Sequence, residues 1–225
     1  TLQRRIERRM GIVAIGIDHP DRYIDMLKRQ PEELGLLAKD LLINITSFFR
    51  DPHVFKLLEE KIAPEMLSKL AGDHILRIWI AGCSSGEETY SLAMIFREQI
   101  EAAKLNMKLQ VFASDVDPEA VASAREGVYP QAIEADVSTE RLARFFVKEE
   151  KSYRVTSELR ALVVFAVQDV LADPPFLRLD LVSWRNLLIY LLPEAQAQVV
   201  SLFHFALREG GILSLGSSDT PGSIE

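Results

Sequence analysis

Residues 75–88 read Ile-Leu-Arg-Ile-Trp-Ile-Ala-Gly-Cys-Ser-Ser-Gly-Glu-Glu, and this stretch decides the fold class. The apolar side chains of Ile75–Ala81 predict a buried strand, and the two glycines that follow predict a tight turn. Apolar residues beyond the turn predict a helix from about Glu87 to Ala103. A strand, a turn and a helix in this order form the first half of a βαβ unit, which builds a parallel sheet.

The same alternation continues along the chain. Further strands are predicted over Leu109–Ser114, Ala161–Val167, Leu179–Ser183 and Ile212–Leu215, with a short hairpin strand near Tyr153–Val155. A helix is predicted to begin at Pro118, and another to span Pro193–Arg208 before Glu-Gly-Gly at 209–211 closes it. We therefore predict an α/β fold with a mostly parallel, Rossmann-like sheet. Residues 1–62 have helical periodicity instead and predict a small N-terminal helical domain and linker, with the α/β domain over residues 63–225.

Composition excludes several classes of protein. Hydrophobic residues make up 48% and charged residues 26%, which is typical of a globular domain. The longest apolar run, Ala161–Val167, is far shorter than the roughly 20 residues that cross a bilayer, so no membrane insertion is expected. A single cysteine, Cys83, excludes an internal disulfide and a zinc site of several thiolates, and it fits a reducing cytoplasm. We predict no metal site.

Charge is placed unevenly. The net charge is −7, which argues against a nucleic-acid partner. Arg4, Arg5, Arg8 and Arg9 nevertheless form a basic cluster, which is either a solvated helix face or a docking surface for an acidic protein partner.

The turn Gly82–Gly86 is the first candidate site, because ligands of parallel sheets bind where the strands end. Its glycines let a ligand approach the backbone. Glu87 and Glu88 at the start of the helix would repel a phosphate, and no lysine follows Gly86, so a nucleoside triphosphate loop is excluded. A ligand with an adenosine part, a positive charge and no phosphate fits, and S-adenosylmethionine has these properties. Simple helix capping by the two glutamates is the alternative.

Polar residues also follow the other predicted strands. Asp115 is a candidate for binding both hydroxyls of a ribose, since Asp117 and not Asp115 is placed to cap the next helix. Asp169 could accept a hydrogen bond from an adenine amino group while Val170 lies against the ring, although an ordinary surface turn would give the same pattern.

The predicted strand Leu179–Ser183 leads through Trp184 into Arg185-Asn186, a polar pair between apolar segments. Both residues are expected at the carboxyl edge of the sheet, and Tyr190 follows where its hydroxyl could face the reacting group. A second unusual segment, Asn44-Ile-Thr-Ser-Phe-Phe-Arg50, lies between helices. Its alternative interpretation is two core phenylalanines beside a surface arginine.

Together these segments resemble the CheR family of chemotaxis receptor methyltransferases. The resemblance runs from about residue 10 to residue 220 and is carried by four segments: 44–50, 81–91, 113–117 and 185–190. It implies transfer of a methyl group from S-adenosylmethionine to glutamate side chains on the acidic methylation helices of a chemoreceptor cytoplasmic domain, with S-adenosylhomocysteine as product. It also implies a helical domain that covers the cofactor and a small β subdomain inserted at about residues 130–160.

The resemblance also implies roles for individual residues. It places Gly82 in the cofactor turn, Glu88 at the methionine end, Asp115 at the ribose and Asp169 with Val170 at the adenine. It implies that Arg185 and Asn186 line the site, that Tyr190 lies near the methyl group, and that Asn44, Thr46 and Arg50 reach the cofactor or the substrate.

One departure from the family pattern bears on the expected partners. The stretch 149–154 lacks the glycine-rich turn of members that dock a receptor's C-terminal pentapeptide, so tethered docking is not expected here. The chain resembles most closely CheR domains that are fused to other signalling domains.

The chemistry needs no general base, because a glutamate carboxylate with a pKa near ~4.3 is already ionised at neutral pH. Arg50 is the candidate for holding that carboxylate and Tyr190 for orienting it. Three alternatives stay open: a methyltransferase of small molecules, an S-adenosylmethionine-binding sensor or scaffold without catalysis, and a nicotinamide dehydrogenase, which Glu87 and Glu88 disfavour.

Overall fold

The computed structural model describes residues 2–13, 15–16, 19–41, 46–70 and 74–216. The chain divides into two compact units, Thr1–Ile45 and Thr46–Glu225. Residues 46–62 therefore belong to the second unit, whereas the sequence analysis assigned them to the N-terminal helical domain and linker. Among the described residues, no helix is long and apolar enough to cross a membrane.

The first unit contains three helices: α1 (Leu2–Ile12), α2 (Pro20–Arg29) and α3 (Pro31–Leu41). Met10, Tyr23 and Leu37 form its buried core. Beside them Glu33 is buried, and it accepts hydrogen bonds from the Arg9 guanidinium at 2.8 and 2.9 Å and from the Tyr23 hydroxyl at 2.9 Å.

The four arginines of the basic cluster in α1 therefore differ in their contacts. Arg9 pairs with Glu33, and Arg5 donates to the carbonyl of Asp40 at 2.9 Å, so both arginines make contacts within the unit. Arg4 and Arg8 are exposed.

The second unit carries the predicted alternation of strands and helices. Its helices are α4 (Pro52–Leu57), α5 (Ala63–Ser68), α6 (Glu87–Ala102), α7 (Pro118–Glu126), α8 (Thr139–Phe145), α9 (Ser157–Arg160) and α10 (Pro193–Ala206), with a π-helical turn over Leu58–Ile62. Its strands are β1 (Ile75–Ala81), β2 (Lys108–Asp115), β3 (Val128–Pro130), β4 (Phe146–Lys148), β5 (Ser152–Val155), β6 (Val163–Val167), β7 (Leu179–Trp184) and β8 (Leu207–Leu215).

Five strands form one sheet in the order β6-β2-β1-β7-β8, and all four pairings are parallel. Both faces are covered, because successive side chains of β1 enter different cores: Ile78 and Ile80 pack with α6, whereas Trp79 and Ala81 pack with the α10 residue Phe203. From β1 the chain winds to β2 and β6 on one side and later to β7 and β8 on the other. The direction of winding thus reverses between β1 and β7, where such sheets bind ligands.

A three-stranded antiparallel sheet, β3-β5-β4, lies in the region of the predicted inserted subdomain. The turn between β4 and β5 is closed by Glu149, whose amide donates to the carbonyl of Ser152 at 2.8 Å. The carboxylate of Glu149 accepts from the Ser152 hydroxyl at 2.8 Å and from Arg154 at 2.7 Å.

Two predicted boundaries were wrong. The last helix ends at Ala206, and β8 begins at Leu207, where the sequence prediction continued the helix to Arg208. The strand starts at Leu207 because this residue pairs with Leu179 in the sheet. A register irregularity between Leu179 and Leu181 accommodates Gly210 and Gly211. Likewise β6 begins at Val163, because the short helix α9 and a turn occupy the residues before it.

Candidate functional site

The turn after β1 is closed against the end of β2. The amides of Gly82 and Cys83 both donate to the carbonyl of Ser114, at 2.7 and 2.9 Å. Gly82 has a φ of +72°, and a Cβ at this position would lie 2.1 Å from Cδ1 of Leu187. The positive φ favours glycine, and the side chain of Leu187, which follows β7, packs directly on this turn.

Asp115 ends β2 and holds the same turn. Its Oδ2 accepts from the amide of Ser84 at 2.8 Å, and its Oδ1 accepts from the amide of Asp117 at 3.0 Å. Asp115 thus has a structural role in this turn, which its position after the strand did not predict. A carboxylate oxygen can accept more than one hydrogen bond, however, so each oxygen keeps a lone pair for a ligand hydroxyl. Asp117 caps α7 as predicted, since its side chain accepts from the amides of Glu119 and Ala120.

Glu88 lies where the winding reverses, and it joins α6 to the end of β7. Its Oε1 accepts from the Ser183 hydroxyl at 2.6 Å, and its Oε2 accepts from Arg185 at 3.0 Å. The same guanidinium donates to Oδ2 of Asp51 at 2.7 Å and to the carbonyl of Arg50 at 3.0 Å. Two carboxylates thus share one guanidinium, and the group of Glu88, Arg185 and Asp51, which we name the Arg185 cluster, keeps one net negative charge.

Burial makes this charge effective toward a cation. The side chain of Arg185 is 1% exposed, whereas Glu88 retains 17% exposure. Charges interact more strongly where solvent is partly excluded, so a ligand ammonium is attracted to Glu88.

The segment that precedes α4 is held against the rest of the second unit by its aromatic residues. Phe48 is buried and packs edge-on against the rings of Tyr129 and Phe146. The amide of Phe49 donates to Oγ of Ser91 on α6 at 3.0 Å. Arg50 follows with a half-buried side chain, and its carbonyl is held by Arg185.

Two other sequence candidates belong to this segment. Thr46 is half-buried, and Asn44 lies outside the described residues. Their proposed roles toward the cofactor or substrate stay predictions.

Glu87 and Cys83 lie on the inner side of the turn. Glu87 accepts from the Ser85 hydroxyl at 2.8 and 3.0 Å, and burial raises the pKa of its carboxyl. Burial also raises the pKa of the Cys83 thiol well above its usual range. Since the thiolate is the nucleophilic form, Cys83 is not suited to be a nucleophile.

Asp169 and Val170 form a turn after β6. Asp169 is exposed; its Oδ1 accepts from the amide of Leu171 at 2.9 Å, and its own amide donates to Asp173 at 2.8 Å. Val170 is buried in the core on the α10 face. The geometry is that of a hydrogen-bonded turn, and the adenine contact stays a prediction.

The residue before this turn, Gln168, was missed by the sequence analysis. It is 7% exposed, its amide nitrogen donates to the carbonyl of Pro174 at 2.8 Å, and its Oε1 has no partner among the described residues. Its backbone amide donates to the carbonyl of Asp115 at 3.0 Å, which ties this turn to the ribose candidate. The available signal was a polar side chain at the end of a strand, directly before the carboxylate of Asp169.

Asn186 and Tyr190 follow β7. Asn186 has a φ of +60°, which non-glycine residues adopt rarely and asparagine more readily than most. Tyr190 ends a short 3₁₀ turn, and its side chain is 52% exposed. Proximity of Tyr190 to a reacting methyl group stays a prediction.

The residues present fit S-adenosylmethionine. The positive-φ Gly82 allows close approach, Asp115 offers two carboxylate oxygens to vicinal hydroxyls, and the Arg185 cluster offers net negative charge to an ammonium. The buried hydroxyl of Ser84, which lies in the turn itself, has no partner among the described residues. No group of three or more histidine, cysteine, aspartate or glutamate residues that could hold a metal occurs in the described parts of the chain.

A cavity of about 460 Å³ lies at the opposite edge of the sheet, where β7 and β8 begin. Asp180 and Arg208 line it together with residues of α5. We place the candidate site at the carboxyl edge instead, because the glycine turn and the converging polar residues are there.

Comparisons with known proteins show the family of this chain. Residues 44–223 match the family model described as "CheR methyltransferase, SAM binding domain". An uncharacterised 104.1 kDa protein of Rhodobacter capsulatus is 43% identical over 97% of this chain, and the chain spans 23% of that protein's length. A chemotaxis protein methyltransferase of Listeria monocytogenes is 32% identical over 88% of this chain and 73% of its own length. Chemotaxis protein methyltransferase 1 of Pseudomonas aeruginosa is 35% identical, over 98% and 80% respectively.

Proposed function

Because the chain belongs to the CheR methyltransferase family and contains its S-adenosylmethionine-binding domain, we propose that it methylates glutamate side chains of chemoreceptors and so forms methyl esters. The substrate in this proposal is the acidic methylation region of a receptor cytoplasmic domain, and the reaction takes place in the cytoplasm. Docking of a receptor's C-terminal pentapeptide is not part of the proposal, because the β4–β5 turn consists of Glu149-Glu150-Lys151 and lacks glycine.

The observation that carries this proposal is a contact of the turn Phe49–Asp51, which we name the Arg50 turn. The turn is attached through Arg185 to Glu88, the residue proposed to bind the cofactor. Arg185 holds the carbonyl of Arg50 and the carboxylate of Glu88 on one guanidinium. An arginine brought to a methyl-donor site suits a substrate that carries a carboxylate, since a guanidinium pairs with a carboxylate in a fixed geometry.

S-adenosylmethionine supplies, when bound, an electrophilic methyl group on a positively charged sulfur. Glu88 would hold the methionine ammonium and Asp115 the ribose hydroxyls, with Asp169 and Val170 at the adenine. Arg50 would pair with the substrate carboxylate, and Tyr190 would donate a hydrogen bond to it. Bringing the reacting groups together and excluding water from the carboxylate are then the main contributions of the protein.

Transfer of labelled methyl to receptor cytoplasmic fragments, followed by mild alkali, tests the proposal. Methyl esters release volatile methanol under these conditions, whereas N-methyl products do not. Alkali-labile label on the fragment is the expected result. Alkali-stable label would indicate a different methyltransferase, and cofactor binding without transfer to any receptor fragment would favour the sensor or scaffold function.

The variant Glu65→Gln is a matched control. Glu65 lies on α5 in an exposed pair with Lys69, away from the carboxyl edge of the sheet. Labelling by this variant is expected to equal that of the natural sequence, which shows that the assay responds to the site and not to any loss of an ion pair.

A further inference from the structure

Asp51 does not act as a helix cap, although its position before Pro52 is typical of one. It has a φ of +63°, and its side chain makes no capping hydrogen bond to α4. The carboxylate turns instead to Arg185, which it meets at 2.7 Å. A residue that gives up its local partner for a distant one indicates a requirement other than helix formation.

The backbone of the Arg50 turn has an unfavourable conformation. Phe49 and Asp51, on either side of Arg50, both have positive φ values, of 49° and 63°. Non-glycine residues keep such conformations only where surrounding contacts enforce them, and they occur often at functional sites.

Contacts hold this turn from two directions. On one side the amide of Phe49 donates to Ser91, and Arg141 lies over the Phe49 ring at 4.7 Å. On the other side Arg185 donates to the carbonyl of Arg50 and to Asp51. Arg185 is itself fixed by Glu88 and lies over the Phe55 ring at 5.2 Å.

We propose that Asp51 is a positioning residue for Arg50: through Arg185 it fixes the Arg50 turn relative to Glu88, the residue proposed to bind the cofactor's methionine end. This proposal rests on the proposed function, in which Arg50 holds the substrate carboxylate. Asp51 has no contact with the reacting atoms in this role, and it acts through the main chain of its neighbour.

The variant Asp51→Asn tests the role, because it keeps the shape of the side chain and removes its charge. We expect kcat for receptor methylation to fall by about tenfold or more, since misplacement by about 1 Å costs up to about a hundredfold. The dissociation constant for S-adenosylhomocysteine should change less than kcat. In the double variant Arg50→Ala/Asp51→Asn, turnover should be no slower than in Arg50→Ala, because Asp51 acts only through Arg50. Full additivity, or unchanged kcat in Asp51→Asn, would overturn the proposal.

Amide hydrogen exchange gives a readout that needs no methyl transfer. The Phe49 amide should exchange about tenfold faster in Asp51→Asn, whereas the Tyr90 amide, bonded to the carbonyl of Gly86 on α6, should not change. Unchanged exchange at Phe49 overturns the proposal even if the natural protein proves not to methylate receptors. Should Asp51→Asn fail to fold, Asp51→Ser gives the same test, because serine is favoured before a helix and also removes the charge that meets Arg185. Glu65→Gln is again the control.

Discussion

The two ends of strand β7 carry two clusters of charged side chains, each around a buried group, and they differ in how completely their charges are balanced. At the amino end Asp180 is 3% exposed, accepts from Arg208 at 2.9 Å and from the amide of Arg77 at 2.8 Å, and lies 3.1 Å from Nε2 of His74. One carboxylate there meets several donors. At the carboxyl end two carboxylates, Glu88 and Asp51, share the guanidinium of Arg185.

The difference distinguishes the Asp180 cluster, which is structural, from the proposed binding site. The Asp180 cluster ties β7 to β8 and to the start of β1, and its carboxylate has little capacity left. The Arg185 cluster keeps a net negative charge, and Nε of Arg185 is buried with no partner among the described residues. Nε of Arg77 beside Asp180 is unpaired as well within the described parts of the chain, so the net negative charge distinguishes the carboxyl end, where a ligand cation would offset that charge.

The largest expected effect is on stability at the amino end. Asp180→Asn should lower the free energy of unfolding by about 3 kcal/mol, because Asp180 is buried and the donors that it holds, the Arg77 amide among them, lose a charged acceptor. Urea denaturation measures this change, and cofactor affinity of the folded variant should stay the same. A variant of normal stability with weakened cofactor binding would reverse the comparison between the two ends.

The next effect is on catalysis at the carboxyl end. Arg50→Ala should lower methyl transfer by about 10²–10³-fold, the scale for losing one group that holds reacting charge. Folding should survive and cofactor affinity should fall less than activity, whereas Arg50→Lys should recover activity only in part because the paired geometry is lost. Steady-state methylation by the three forms, with calorimetric titration of S-adenosylhomocysteine, checks this. Natural turnover in Arg50→Ala would remove the residue from the mechanism.

Glu88→Gln is the counterpart of Asp180→Asn at the other end of the strand. It should weaken binding of S-adenosylmethionine by about 1.5–3 kcal/mol, the scale for a hydrogen bond to a charged group. Its effect on stability should be smaller than that of Asp180→Asn, because Asp51 still pairs with Arg185. Calorimetry and urea denaturation of both variants together give the contrast, and equal stability losses would argue that the two clusters have the same role.

Asp115→Asn should weaken cofactor binding by a similar or smaller amount, about 1–3 kcal/mol. The amide keeps one acceptor for a hydroxyl but places an N–H group where the Ser84 amide or the ligand donates. NAD should bind neither form tightly, since Glu87 and Glu88 repel its phosphates. Calorimetry with both ligands checks this expectation; unchanged S-adenosylmethionine affinity would exclude Asp115 from the site.

The smallest effect concerns Glu87. Burial raises the pKa of its carboxyl in the folded state above the value near 4.5 of the unfolded chain, so the folded state keeps its proton to higher pH. The contribution of this group to stability is therefore greatest below the unfolded pKa, and it decreases as pH rises from there through the folded pKa. Glu87→Gln should make unfolding free energies less dependent on pH in that window. Urea denaturation at several pH values measures it, and an equally steep decrease in the variant would contradict the assignment.

Much of the α/β pattern was predictable from the sequence because periodicity and turn chemistry are local. The strand over Ile75–Ala81, the helix after Gly86 and the cap at Asp117 were all confirmed. The end of α10 was not predictable in this way, because pairing with β7 starts β8 at Leu207.

By itself, the sequence determined which polar residues follow which strands, and the sheet topology then brings them to one edge. Only the tertiary structure decided how they are used. Arg185 meets Glu88 and Asp51 across 97 and 134 residues of chain, and local propensity carries no information about such partners. Asp115 holds a turn, and Asp51 pairs with Arg185 and does not cap α4, for the same physical reason. A side chain turns toward the strongest partner that packing brings within hydrogen-bond distance, and packing is a property of the whole fold.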